Sequence, residues 1–359
     1  MFRIEMLPAG YGDCLWIEYG DENSPHRILI DAGTLPTYAP LRKRIEALPE
    51  DRRRFELFII THIDTDHIDG AVKLLNSPSL GVEYGQVWFN EWKHLSRPEE
   101  LGAVQGEYAA ALIEKQGIEL NAAFEGGSVV VPDEGDLPTA ELPGGMRLTL
   151  LSPGWEQLVA LRSAWEQTLE EAGMIPGRAK QAAARLATEK KYADTLGARA
   201  IDVDRLAESA TKVDDSPANG SSIAVLAEYQ GKRCLFAGDA FPTVVQAGIE
   251  RYLESAGSTR LALDAFKIAH HGSKHNTTLE LLETVKCGTY LFSSNGKRYH
   301  HPDPEGVARA IRSAGQGARL FFNYTSAENR VWNDRTLMRK FGYEPVFPKA
   351  GKSGQTIAL

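Results

Sequence analysis

The six positions from His62 to His67 hold two imidazoles and two carboxylates, His62, Asp64, Asp66 and His67, within the run Thr61-His62-Ile63-Asp64-Thr65-Asp66-His67-Ile68-Asp69-Gly70. Carboxylates this close repel and raise each other's pKa unless a cation lies between them. Neutral imidazole combined with carboxylate suits a borderline or hard divalent ion such as Zn²⁺ or Mn²⁺. The chain has nine histidines in all, so a solvated polar loop with incidental histidines is the weaker explanation. The run follows Phe55, Leu57, Phe58, Ile59 and Ile60, which read as a buried strand. The cluster is therefore expected on the loop at that strand's carboxyl end, where open sheets carry their sites.

The same arrangement recurs downstream. Residues 222–229 and 233–237 flank Gln230-Gly231-Lys232 as a hairpin whose second strand delivers Gly238-Asp239, placing Asp239 like a ligand. A strand over 263–269 ends in His270-His271-Gly272-Ser273, and another over 289–294 leads to Asn295 and then to Tyr299-His300-His301-Pro302-Asp303-Pro304. Three successive strands ending in Asp, His-His and His-His point to one functional face. Six of the nine histidines (His62, His67, His270, His271, His300 and His301) lie on these loops. His26, His94 and His275 read as surface or core histidines.

These strand ends need a frame. Residues 1–92 give short apolar runs at 4–7, 14–19 and 28–31, then the ligand loop, a helix through 71–75 and a strand at 86–89. From 93 to about 215 the character changes. Stretches 108–116, 155–173 and 178–196 are rich in Ala, Glu, Lys, Leu and Gln and favour helix, with short strands at 128–131 and 146–151 between the first two. Residues 209–222 form a turn-rich connection. We read 155–208 as a helical insertion that covers or extends a site built elsewhere, without supplying catalytic groups.

With 359 residues, 43% hydrophobic and 25% charged, the chain can bury a full core as one large domain or two smaller ones. A net charge of −8 argues against a basic surface coating nucleic acid, but leaves room for a local groove or metal centre that receives a phosphodiester. Cys14, Cys234 and Cys287 lack CxxC spacing and read as small core residues in a reducing compartment. The amino terminus reads as a strand and not as a leader, and no stretch approaches the roughly 20 apolar residues of a membrane span. A cytoplasmic, bacterial-type protein without a membrane partner is the expectation.

The motifs together resemble the metallo-β-lactamase-fold hydrolases. HxDxDHxxG is similar to that superfamily's HxHxDH motif with Asp64 in place of the second histidine. The order of Gly10-Tyr11-Gly12-Asp13, Leu29-Ile30-Asp31-Ala32-Gly33, the Thr61 to Gly70 run, Asn219-Gly220-Ser221-Ser222, Phe236-Ala237-Gly238-Asp239, His270-His271-Gly272-Ser273 and the Tyr299 to Pro304 run most resembles the β-lactamase-like domain of the bacterial competence DNA-uptake channel protein and its soluble relatives. The resemblance covers roughly 1–92 and 209–325 plus the strand ending at Leu151-Ser152-Pro153. It implies a mixed α/β, four-layer αββα sandwich, here a single domain over 1–359 interrupted by the 155–208 insertion.

The resemblance also implies a binuclear centre with two divalent ions, Zn²⁺ or Mn²⁺. His62 and Asp64 would hold the first ion, Asp66 and His67 the second, Asp239 would bridge, and one of His270 and His271 would complete the second site. We favour His271 as the ligand and His270 as a substrate contact, with the reverse order open. No histidine lies in 95–269, so Asn219 or Ser221 stands where relatives supply a third histidine to the first ion, or that ion is weakly held. Asp64 in place of histidine tilts the choice toward Mn²⁺. Asp13 and Asp31 would orient the ligands from behind, and His301 is either a general acid or phosphate contact or a cap for the helix after it. With Asp66, His270 and His301 as the catalytic group, the expected activity is metal-dependent hydrolysis of a phosphodiester in nucleic acid, a nucleotide or a small molecule. An ester, lactone or thioester hydrolase and a non-catalytic partner-binding module are the alternatives.

Overall fold

The computed structural model describes residues 1–95, 104–171 and 201–359. The opening strands are β1 (Phe2–Met6), β2 (Leu15–Gly20), β3 (Pro25–Ile30), β4 (Leu57–Ile59) and β5 (Val87–Trp88). The second set is β6 (Thr139–Leu142), β7 (Met146–Ser152), β8 (Ala224–Tyr229), β9 (Lys232–Phe236), β10 (Ala265–Lys267), β11 (Thr289–Phe292), β12 (Ala318–Phe322) and β13 (Tyr343–Val346), followed by β14 (Gln355–Ala358). One sheet has the order β14-β1-β2-β3-β4-β5 and the other β13-β12-β11-β10-β9-β8-β7-β6. Both ends of the chain meet in the first sheet, where Arg3 of β1 faces Ala358 of β14.

Period-two alternation explains how the sheets stack. In β1, Phe2, Ile4 and Met6 are buried while Arg3 and Glu5 are only half-buried. Phe2, Ile4, Leu15 and Ile17 join Leu148, Val225, Cys234 and Ala265 from the other sheet in one apolar cluster, which is the interior between the sheets. The opposite faces carry helices. Trp16, Leu29 and Phe58 pack against α1 (Tyr38–Glu46), α2 (Thr65–Leu75), α3 (Val104–Gln116) and α4 (Trp155–Glu171). Leu235, Phe266 and Phe292 pack against α5 (Pro242–Ala256) and α6 (Pro304–Ala314). Three apolar interiors separating four layers give the αββα sandwich.

β3 and β4 run parallel, as do β9, β10 and β11, so each group opens its carboxyl ends onto loops. The β8–β9 hairpin turns at Gln230 and Gly231, both with positive φ (47° and 78°), the left-handed pair that a tight hairpin requires.

Two sequence expectations differ from the structure. Helix α2 starts at Thr65, not near Ala71, which lifts Asp66 and His67 off the loop and onto the first helical turn. Residues 128–131 do not form a strand and keep only a single bridge, Val131 with Gly154. The side-chain amide of Asn90 instead satisfies Val129, donating to its carbonyl and accepting from its N–H at 2.8 Å each. Within the expected insertion, α4 packs on the sandwich, with Leu158, Leu161 and Trp165 buried in the same core as Trp92. The helix expected over 178–196 lies outside the described residues, and the short helix Val203–Ala207 follows them.

Candidate metal centre

Asp31, immediately after β3, organises the first ligands. Its carboxylate accepts from the Thr61 backbone N–H at 2.8 Å, from Thr61 Oγ1 at 2.7 Å and from His67 Nδ1 at 2.7 Å. Thr61 Oγ1 lies 3.0 Å from His62 Nδ1, so one carboxylate sets both rings, His67 directly and His62 through a hydroxyl. With Nδ1 occupied on the outside, Nε2 of each ring is left facing inward, the arrangement a metal-binding imidazole needs.

Asp239 and His271 arrive from the other sheet. His67 Nε2 lies 3.3 Å from His271 Nε2 and 3.3 Å from Asp239 Oδ2. His271 Nε2 is also 3.3 Å from Asp66 Oδ2 and 3.6 Å from Asp239 Oδ2, and His62 Nε2 is 3.9 Å from Asp239 Oδ2. The ligand atoms of His62, His67 and Asp239 lie within 4.8 Å of one another, as do those of Asp66, His67 and His271. Asp13 groups with Asp239 and His271 by the same distance, but it sits behind the imidazole: its Oδ1 faces His271 Nδ1 at 3.4 Å, and its Oδ2 is 2.7 Å from the buried Lys267 ammonium. Asp13 therefore places a negative charge behind His271 without a hydrogen bond between them.

The donor set fits divalent ions. His62 Nε2 and Asp239 Oδ1 are buried with no hydrogen-bond partner, and two imidazole nitrogens confront each other at 3.3 Å among carboxylates. Buried polar atoms are seldom left this way. The electrostatics agree. Burial works against charge on His271, but Asp239 and then Asp13 outweigh it and push its pKa up to about 9. Burial likewise opposes charge on His67, and Asp239 and Asp31 carry it well above the ordinary imidazole value. The pocket thus draws positive charge, which protons and metal ions compete to supply.

The other expected residues are placed differently. Asp64 is the N-cap residue of α2, yet its side chain makes no capping bond; it is 43% exposed, with Oδ2 3.7 Å from His62 Nε2. His270 approaches from the side, Nε2 3.8 Å from Asp239 Oδ2, while its Nδ1 lies 2.9 Å from Asn276 Oδ1 and 3.3 Å from Asp214 Oδ2. His301 stacks edge-on to His270 with centroids 5.2 Å apart. Burial, followed by His270 and His271, pushes the His301 pKa well below the ordinary imidazole value, so its ring is neutral. Asn219 and Ser221 differ: Ser221 Oγ is spent on the Ala218 carbonyl at 2.7 Å, whereas Asn219 donates to Asp214 and keeps a buried, unpartnered Oδ1.

Asp214, Asn276 and Lys267 were not singled out by the sequence reading. Lys267 had a signal, a lysine inside the apolar run of β10; Asp214 and Asn276 had none beyond closeness to other motifs. His26 pairs with Glu56, His275 with the Lys212 carbonyl and His94 with the Gly126 carbonyl, all outside the ligand groups. The backbone is tightly set: Asp31, His270 and His271 hold φ of 54°, 45° and 55°, left-handed conformations costing roughly 1–3 kcal/mol each. At Gly12 an added Cβ would lie 1.8 Å from the Asp66 carbonyl, so the Asp13 loop touches the ligand helix backbone to backbone.

The first part of the chain has a counterpart among known families. Residues 7–153 match the metallo-beta-lactamase superfamily. The superfamily's members are generally metal-dependent hydrolases and commonly bind divalent metals. The matched stretch holds His62, Asp64, Asp66 and His67 and ends before Asp239 and His271. Among solved structures, the metallo-beta-lactamase fold protein YhfI from Bacillus subtilis is similar at 10% identity, over 99% of this chain and 98% of that one, with a TM-score of 0.42. No curated protein matches the chain. Among the described residues, no helix is long and apolar enough to cross a membrane.

Proposed function

We propose that this protein is a metal-dependent hydrolase of phosphodiesters, acting on nucleic acid, a nucleotide or a small phosphodiester. The observation that carries the reading is the overlap of two ligand groups: His62, His67 and Asp239 form one, Asp66, His67 and His271 the other, and Asp239 Oδ2 lies 3.6 Å from His271 Nε2 as well. Paired sites suit an in-line phosphoryl displacement, in which the attacking and leaving oxygens both develop charge.

In this reading His62, Asp64, Asp66, His67, Asp239 and His271 would hold two divalent ions, zinc or manganese, with Asp239 shared and the unpartnered Asn219 Oδ1 as a further candidate donor. When bound, the ions supply charge neutralisation and acidify water. Asp66 fixes one ligand group from the first turn of α2. His270, tethered through Nδ1 to Asn276 and Asp214, presents Nε2 toward the substrate side. His301, being neutral, offers a phosphoryl oxygen an N–H donor in place of a charged acid. The pairing of β1 with β14 supports one domain over 1–359, with 155–208 as its elaboration. Three buried free cysteines support the cytoplasm.

The test combines metal analysis of protein purified without chelator with hydrolysis of bis-p-nitrophenyl phosphate, single-stranded DNA and a lactone in Mn²⁺ and Zn²⁺. We expect two ions per chain, phosphodiester turnover, and loss of several orders of magnitude in the Asp239→Ala protein. Turnover of the lactone alone would move the assignment to ester chemistry. An Asp239→Ala protein hydrolysing phosphodiesters at the wild-type rate would overturn the paired-metal mechanism.

A further inference from the structure

A cation and two phenols lie beside the centre, outside every ligand group. Arg298 Nη1 donates to the Tyr11 hydroxyl at 2.9 Å, and its guanidinium carbon lies 5.2 Å and 5.1 Å from the ring centroids of Tyr11 and Tyr299. The two phenols meet edge to face, 5.6 Å apart at 89°. Arg298 is exposed, and Tyr299 is 46% exposed, one of the few large hydrophobic side chains left in solvent among the described residues.

The cluster adjoins the chemistry. The Tyr299 ring is 6.2 Å from His301, which is 5.2 Å from His270 and 6.4 Å from His271. Partial burial works against charge on Arg298, but Tyr299, Tyr11 and, more weakly, Asp66 offset it, so the guanidinium stays cationic. Among the described residues it has no ion-paired carboxylate, its bonded partner being the Tyr11 hydroxyl.

The platform is also rigid. The Asn295 N–H donates to the Gly10 carbonyl at 2.8 Å, Ser293 Oγ to the Gly12 carbonyl at 2.9 Å, and the Gly10 N–H to the Tyr324 hydroxyl at 2.9 Å. On the far side, His300 Nδ1 is 3.3 Å from Glu328 Oε1. The loops bearing Tyr11 and Arg298 are thus joined to each other before any ligand arrives, which lowers the ordering cost of binding.

We infer that Tyr11, Arg298 and Tyr299 form a docking platform for unpaired nucleobases of a single-stranded nucleic acid, holding the strand beside the metal centre. Planar aromatic and guanidinium faces stack any base, and the guanidinium neutralises an adjacent phosphate. A duplex hides its base faces and would not use it. The inference rests on the phosphodiester reading for its purpose, but its binding chemistry can be measured separately.

The test uses fluorescence anisotropy of a short labelled oligothymidylate, on a phosphorothioate backbone that resists hydrolysis, with the full-length protein as purified without chelator, alongside an abasic chain of equal length and a duplex of the same backbone. The wild type should bind the oligothymidylate well above both controls. Arg298→Ala and Tyr299→Ala should each weaken binding by roughly 5- to 150-fold, the equivalent of one lost base stack. Arg298→Lys, which keeps charge but loses the plane, should recover only part. Unchanged metal content and thermal midpoint in these variants would exclude misfolding. Equal binding of the abasic chain, absence of wild-type binding, or variants that bind as wild type would each overturn the platform. Oligothymidylate binding by a wild type that hydrolyses no phosphodiester would leave the platform standing and remove the function proposed above.

Discussion

Asp31 and His67 are joined by a 2.7 Å hydrogen bond between two side chains wholly removed from solvent, with the Asp31 backbone in a left-handed turn at φ 54°. The same carboxylate fixes Thr61, which in turn contacts His62. Asp31 therefore controls two ligands without belonging to either ligand group.

Replacing Asp31 by Asn keeps an acceptor for Thr61 but sets an amide against the His67 N–H. Groups that orient a ligand from behind typically contribute 10- to 100-fold in metal affinity. We expect Asp31→Asn to weaken metal binding by about that factor, read by chelator competition, in a protein that remains folded. Wild-type affinity would mean that the His67 orientation is set by packing alone.

Trp165 is 1% exposed and packs against Trp92 with ring centroids 6.1 Å apart. Truncating a buried tryptophan costs about 3–5 kcal/mol. Urea denaturation of Trp165→Ala should show a loss of that size. A loss below about 1 kcal/mol would show that α4 contributes little to the core it packs against.

His94 titrates against the fold. Burial holds its pKa below the usual 6.5. The ring lies 3.1 Å from the Gly126 carbonyl through Nε2 and 3.3 Å from the Asn121 amide nitrogen through Nδ1, a pattern suited to the neutral form. Because the folded pKa is depressed, the unfolded chain takes up a proton first. The contribution to stability is thus present above pH 6.5 and is lost as pH falls through the folded value. The unfolding free energy of wild type relative to His94→Gln, measured by urea denaturation, should shrink as pH drops from about 7.5 to 5, by no more than about 1.4 kcal/mol per pH unit. A difference independent of pH would show that His94 is not held neutral.

Much of this was legible in the chain. Alternation in β1 marks its buried face, and the parallel strands deliver Asp239 and the His270-His271 pair to the same end as His62 and His67. Local pattern failed where side chains replaced backbone partners or where polarity masked a helix. Asn90 occupies the hydrogen-bonding groups of Val129, so an apolar run never became a strand. Thr65 to Gly70 looks like a loop because the polar ligands and a glycine fill the first turn of α2. Gly70 is required there: a Cβ would lie 2.0 Å from the Ala32 carbonyl. Asp214, Asn276 and Lys267 act through neighbours brought close only by folding, which no local periodicity encodes.

His67 and His271 touch across 204 residues of sequence. One follows a strand of the first sheet and the other a strand of the second, so these nitrogens approach only after the two halves of the sandwich have docked. A nascent chain that has emerged as far as residue 153 carries the whole opening motif and still lacks Asp239 and His271. Any ion held by these residues would therefore be a checkpoint on assembly, seated only once both sheets are in place and clasping their open edge.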